Sequence, residues 1–175
     1  MASTEHGPRL AAPRLDPPAR LLIVAAPFYR GVADWLIEGA GAALDAAGAA
    51  HDLIEVPGAL EIPTAIRFAE RRFDGFVALG CVIRGETTHY ETVCADSSHA
   101  LMLLGVQRGL CVGNGILTVE NLAQAEARAD PARMNKGAGA AEAALHLIRV
   151  RRSYAAGSGS DSDIRLAGDP STGAV

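Results

Sequence analysis

The densest group of residues able to do chemistry is Gly80-Cys81-Val82-Ile83-Arg84-Gly85-Glu86-Thr87-Thr88-His89. Gly80 interrupts an apolar run, Gly85 ends it, and Thr87 or Thr88 is placed to cap a helix that follows. Unpaired N–H groups at such a helix start form an anion site, to which Arg84 can add positive charge. His89 falls in the first helical turn. An imidazole with a pKa of about 6.5 exchanges protons at neutral pH, although a structural His fits the same position.

Three further clusters are each ambiguous alone. In Pro27-Phe28-Tyr29 an aromatic ring either stacks on a flat heterocycle or fills the core. In Val56-Pro57-Gly58-Ala59-Leu60-Glu61-Ile62-Pro63 the prolines stiffen the chain, and Gly58 with Ala59 admits a ligand close to the backbone. Glu61 there is either a ligand-binding carboxylate or a partner of the helix dipole. Thr118-Val119-Glu120-Asn121 is followed by Arg128 and Lys136, two cations able to meet a phosphate or simply to be solvated. Nucleophile-elbow, phosphate-loop, zinc-protease and dinucleotide motifs are all missing from the sequence. The four clusters together describe a site for an anion, a planar ring and a proton-shuttling His.

The elements that must position these residues follow from hydrophobic patterning. Residues 21–26, 76–83 and 110–117 are short, continuous apolar runs, which is how strands buried on both faces of a parallel sheet read. Residues 51–56 form a weaker strand ended by Pro57-Gly58. Helical spacing joins Val32, Leu36, Ala40, Ala43 and Ala47, with Gly48 as a stop. Further helices are expected over 61–72, 88–108, 120–128 and 136–154. The order βαβαβαβαα predicts an α/β fold, a three-layer α/β/α sandwich of flavodoxin type with a four-stranded parallel sheet. In such sheets ligands bind beyond the carboxyl ends of the strands, where all four clusters fall.

Bulk properties agree. A chain of 175 residues, 49% hydrophobic and 21% charged, has the size and composition of one globular domain that needs no disulfide or metal staple. The net charge of -4 without a basic block argues against nucleic-acid binding. Cys81, Cys94 and Cys111 are widely spaced, the pattern of packing residues in a reducing compartment, so a cytoplasmic location is expected. No apolar stretch approaches the ~18 residues of a membrane span. Residues 21–26 are short for a signal-peptide core, and Pro27-Phe28-Tyr29-Arg30 is a poor cleavage site. The Pro-rich residues 1–20 are expected to be a flexible arm, 21–154 the domain, and the Gly/Ser/Asp-rich residues 155–175 a disordered tail.

The clusters, extended through Tyr90, Gly115-Ile116-Leu117 and Asn135-Lys136-Gly137, resemble the 6,7-dimethyl-8-ribityllumazine synthase family in order and spacing, across residues 21 to about 154. The resemblance implies condensation of 5-amino-6-ribitylaminouracil with 3,4-dihydroxy-2-butanone 4-phosphate, the penultimate step of riboflavin biosynthesis, without metal or organic cofactor. It implies that Phe28 stacks on the pyrimidine, that Ala59, Leu60 and Glu61 hold the ribityl chain, and that Val82 and Ile83 contact the ring. Glu86, Thr87 and Arg128 would bind the phosphate, His89 would shuttle protons, and Lys136 would lie near the ribityl chain. The family's site lies between adjacent subunits of a homopentamer, with Arg128 and Lys136 coming from the neighbour. This chain departs at Leu60, where an aromatic is common, at Cys81, at Glu86 and at Asn114. Asn114 would replace aromatic stacking by hydrogen bonding. Asp130-Pro131-Ala132-Arg133-Met134 replaces a run common in sixty-subunit shells, so an isolated pentamer is expected. A non-catalytic riboflavin or lumazine carrier is the alternative reading, and a structural shell protein a third; Arg128 and His89 together argue against both.

Overall fold

The structure, a computed structural model, describes residues 10–156. The rest of the expected arm and nearly all of the expected tail lie outside the described residues. The elements alternate as expected: β1 (Arg20–Ala25), α1 (Arg30–Ala46), β2 (Ala50–Glu55), α2 (Glu61–Ala69), β3 (Gly75–Ile83), α3 (His89–Arg108), β4 (Val112–Val119), α4 (Leu122–Ala129) and α5 (Lys136–Ala155). All pairings are parallel, in the order β2-β1-β3-β4.

Alternate side chains of each central strand enter opposite cores, which makes the sheet the middle of three layers. Leu21, Ile23, Val77 and Leu79 pack with Leu36, Leu44, Ala141, Leu145 and Ile148 from α1 and α5. Leu22, Val24, Phe76 and Ala78 pack with Ile62, Ile66, Leu101 and Leu104 from α2 and α3. The continuous apolar runs of β1 and β3 exist because both faces need a partner.

The outer strands differ. β2 is exposed along most of its length. β4 carries the exposed Asn114 and Thr118 among buried neighbours, so it is an edge strand and not one buried on both faces. It also starts two residues later than expected, because Gly109 in a left-handed conformation closes α3 and Leu110 N–H turns back to the Leu104 carbonyl at 3.2 Å. Residues assigned to the arm touch the body: Pro13 and Ala19 are buried, Leu15 packs on the core and Arg152 donates to the Pro17 carbonyl.

Candidate active site

The site begins where the strands stop being level. Ala25 of β1 is in register with Glu55 of β2 and Leu79 of β3. β3 and β4 continue together past this line, from Gly80 opposite Ile116 to Ile83 opposite Val119. This projecting ribbon is one wall of a cavity of about 460 Å³, to which it contributes Cys81, Val82 and Ile83. The loops after β1 and β2 and the start of α3 enclose the rest.

Phe28 lies at the mouth, 75% exposed, which rules out the core-filling role. Its ring meets Tyr29 edge-on, with centroids 5.1 Å apart and planes at 69°, an arrangement that leaves ring surface available to a flat ligand. Ala59, Leu60 and Glu61 line the cavity at the start of α2. That helix has no side-chain cap. The Glu61 carboxylate folds back over Gly58, where a Cβ would stand 2.9 Å from Oε2.

α3 begins at His89, which lines the cavity with Thr87, Tyr90 and Val93. The expected threonine cap is not formed by Thr88. Thr87 Oγ1 instead accepts from His89 N–H at 3.4 Å, a long contact, and the helix start has no conventional side-chain cap. Helix-start donors therefore remain available to an anion. Gly85 and Thr87 line the cavity whereas the exposed Glu86 does not.

Arg84 does not lend its charge to that anion site. Its Nε donates to Glu120 at 2.8 Å, its Nη1 to Glu91, and its guanidinium stacks over the Tyr90 ring, 4.2 Å from the centroid. The hydrogen bond from Arg84 holds the Glu91 carboxyl below its ordinary range, and Glu91 in turn pushes the guanidinium up. Residue type alone could not reveal this engagement.

Asn114, Arg128 and Lys136 gather elsewhere, in a second concavity of about 430 Å³ that shares no lining residue with the first. Asn114 Oδ1 accepts from Ile116 N–H at 3.0 Å, which leaves its amide N–H groups as donors. Arg128 Nη1 donates to the Gln124 carbonyl at 3.0 Å. Lys136 opens α5, whose cap is Asn135 in a left-handed conformation accepting from Ala138 N–H at 3.2 Å. Neither Arg128 nor Lys136 makes an ion pair among the described residues.

Sequence reasoning missed Tyr29, Cys81, Tyr90 and Val93 as wall residues. Helical spacing could have found Val93, one turn beyond His89. Cys81 is inert packing: burial pushes its thiol up to about 11.

Sheet and cavity define a doubly wound α/β protein. Its carboxyl edge offers a stacking ring, a carboxylate and an open helix start beside a histidine. The family model for 6,7-dimethyl-8-ribityllumazine synthase matches residues 18–152. The chain is 56% identical over 152 residues to the 6,7-dimethyl-8-ribityllumazine synthase of Jannaschia sp. (strain CCS1), covering 86% of this chain and 85% of that protein. It is 51% identical over 162 residues to the protein of that name from Nitrobacter winogradskyi, covering 89% and 99%. The Bartonella henselae protein of that name is 54% identical over 138 residues, covering 77% and 89%. The chain belongs to the 6,7-dimethyl-8-ribityllumazine synthase family.

Proposed function

We propose that the protein condenses 5-amino-6-ribitylaminouracil with 3,4-dihydroxy-2-butanone 4-phosphate, giving 6,7-dimethyl-8-ribityllumazine, phosphate and water in riboflavin biosynthesis. The observation that carries the reading is the convergence on one cavity of exposed Phe28, Glu61 and the α3 start with His89. The ring stacks on Phe28, with Val82 and Ile83 along the wall. Glu61 accepts hydrogen bonds from ribityl hydroxyls beside Ala59 and Leu60. The phosphate sits against Thr87 and the Glu86 backbone.

The uracil amine attacks the ketone to form an imine with loss of water, phosphate leaves by elimination, and the ribityl-bearing nitrogen attacks the carbonyl that results, closing the ring with loss of a second water. His89 carries protons between these steps. Holding both reactants together supplies up to ~7–11 kcal/mol in favourable cases, so no strong protein nucleophile is required.

The phosphate needs a cation that this cavity lacks, since Arg84 is paired. Arg128 supplies it from the second concavity of a neighbouring subunit in a homopentamer working in the cytoplasm, and Lys136 and Asn114 of the same concavity face the ribityl chain and ring. Apolar surface in want of cover supports assembly: Phe68 is 83%, Val106 76% and Met102 63% exposed, and Leu53 and Ile54 lie open on β2. Three free thiols support a reducing compartment.

The test is to mix both substrates with the protein and follow the lumazine chromophore. Turnover that depends on enzyme concentration supports the proposal. Tight binding of lumazine or riboflavin without turnover would point to the carrier reading instead.

A further inference from the structure

The loop 84–88 carries the helix-start donors, yet it contains Gly85, exposes Glu86, Thr87 and Thr88 to solvent, and gains little from a cap. Something else must fix it. Arg84 stands at its base, where its own N–H donates to the Val119 carbonyl at 3.0 Å and extends the β3–β4 pairing by one residue. From there the side chain reaches in two directions, to Glu91 in the first turn of α3 and to Glu120 just beyond β4. It covers one face of Tyr90, a cavity wall residue.

The geometry points to Arg84 as a positioning residue: it clamps the first turn of α3 to the end of β4 and so holds the anion-binding loop, without touching the anion. A planar guanidinium suits this task, because its separate N–H groups meet two carboxylates while its face stacks on an aromatic ring. The inference rests on the proposed reading of the α3 start as the phosphate site.

A direct phosphate ligand and a clamp predict opposite signs for one substitution. In Glu91→Gln the clamp loses its charged partner and the loop loosens. The KM for the butanone phosphate and the inhibition constant of inorganic phosphate should then rise about three- to tenfold, the scale of coupling within one charge network. The KM for the ribityl pyrimidine should stay within about twofold. If Arg84 were a phosphate ligand held in check by Glu91, the same substitution would release it and both phosphate constants would fall.

Glu120→Gln cuts the other arm and should shift the same constants in the same direction. Arg84→Lys should recover only part of what Arg84→Ala loses, since an ammonium cannot hold both carboxylates and stack. Melting temperatures taken alongside identify any variant whose losses reflect unfolding. A fall or no change in the phosphate constants of folded Glu91→Gln and Glu120→Gln would overturn the clamp. Thr87→Ala, run in parallel, separates the two ideas: unchanged phosphate constants there would sink the phosphate-site reading, and the clamp with it.

Discussion

Gly137, the second residue of α5, stands so close to Leu36 of α1 that a Cβ on it would lie 2.1 Å from the Leu36 carbonyl oxygen. That oxygen belongs to the backbone of the fully buried Leu36 and cannot swing aside. Gly137→Ala must therefore push the two helices apart, moving Lys136 with them. Overpacking of this kind costs about 1–3 kcal/mol, more than alanine returns through helix propensity. Thermal unfolding should show a midpoint several degrees lower, and an unchanged midpoint would refute the contact.

Removing the imidazole should slow the reaction without abolishing it. Proton transfer by a placed side chain contributes roughly 10²–10⁴-fold, whereas orientation of the substrates survives in His89→Ala. Steady-state kinetics should show kcat falling within that range and each KM changing little. Undetectable turnover with intact substrate binding would mean that His89 does more than shuttle protons.

The parts of the fold that could be read in the sequence are those set by short-range pattern. β1 and β3 announce themselves because a strand buried on both faces has no polar positions, as in Leu21 to Ala25 and Phe76 to Leu79. Ends were harder. α4 starts at Leu122 because Asn121 accepts from Gln124 N–H at 3.0 Å, a cap that competes with an earlier start at Glu120. The strand-end rule led to Phe28, Glu61 and His89, since topology alone brings those loops together. The pairing of Arg84 was hidden because Glu91 and Glu120 lie 7 and 36 residues away along the chain. The gathering of Asn114, Arg128 and Lys136 in a separate concavity was equally hidden. Which face of an edge strand a residue occupies depends on register with its neighbour.

The cysteines should behave as packing residues. Burial pushes Cys81 up to about 11 and raises Cys94 and Cys111 as well, so little thiolate exists at pH 8. Native protein should react slowly with a thiol reagent at that pH, and denatured protein should release three fast-reacting thiols. Rapid native labelling of Cys81 would contradict the packing role.

Acid should weaken the fold in a defined window. Hydrogen bonds from Arg30, Arg108 and Arg84 hold the carboxyls of Glu55, Glu70 and Glu91 below their ordinary value of 4.5. A depressed folded-state pKa gives stability that is present above 4.5 and is lost as pH falls through the lower folded values. The melting midpoint should hold down to about pH 5 and then decline, less steeply in high salt because the Arg30–Glu55 and Arg84–Glu91 pairs are exposed. Arg108→Gln should flatten part of the decline. A midpoint unchanged from pH 5 to pH 3 would show that these pairs do not stabilise the fold.

In the proposed function each site is completed by two subunits, one giving the His89 cavity and the next giving Arg128. This sharing is tested most directly by co-assembling His89→Ala chains with Arg128→Ala chains in equal amounts. In a cyclic assembly with random mixing, about one site in four pairs an intact cavity with an intact neighbouring arginine. Activity should rise well above the mean of the two parents, toward about a quarter of the unmodified enzyme. Activity that remains at the mean of the parents, in particles shown to contain both chains, would contradict it.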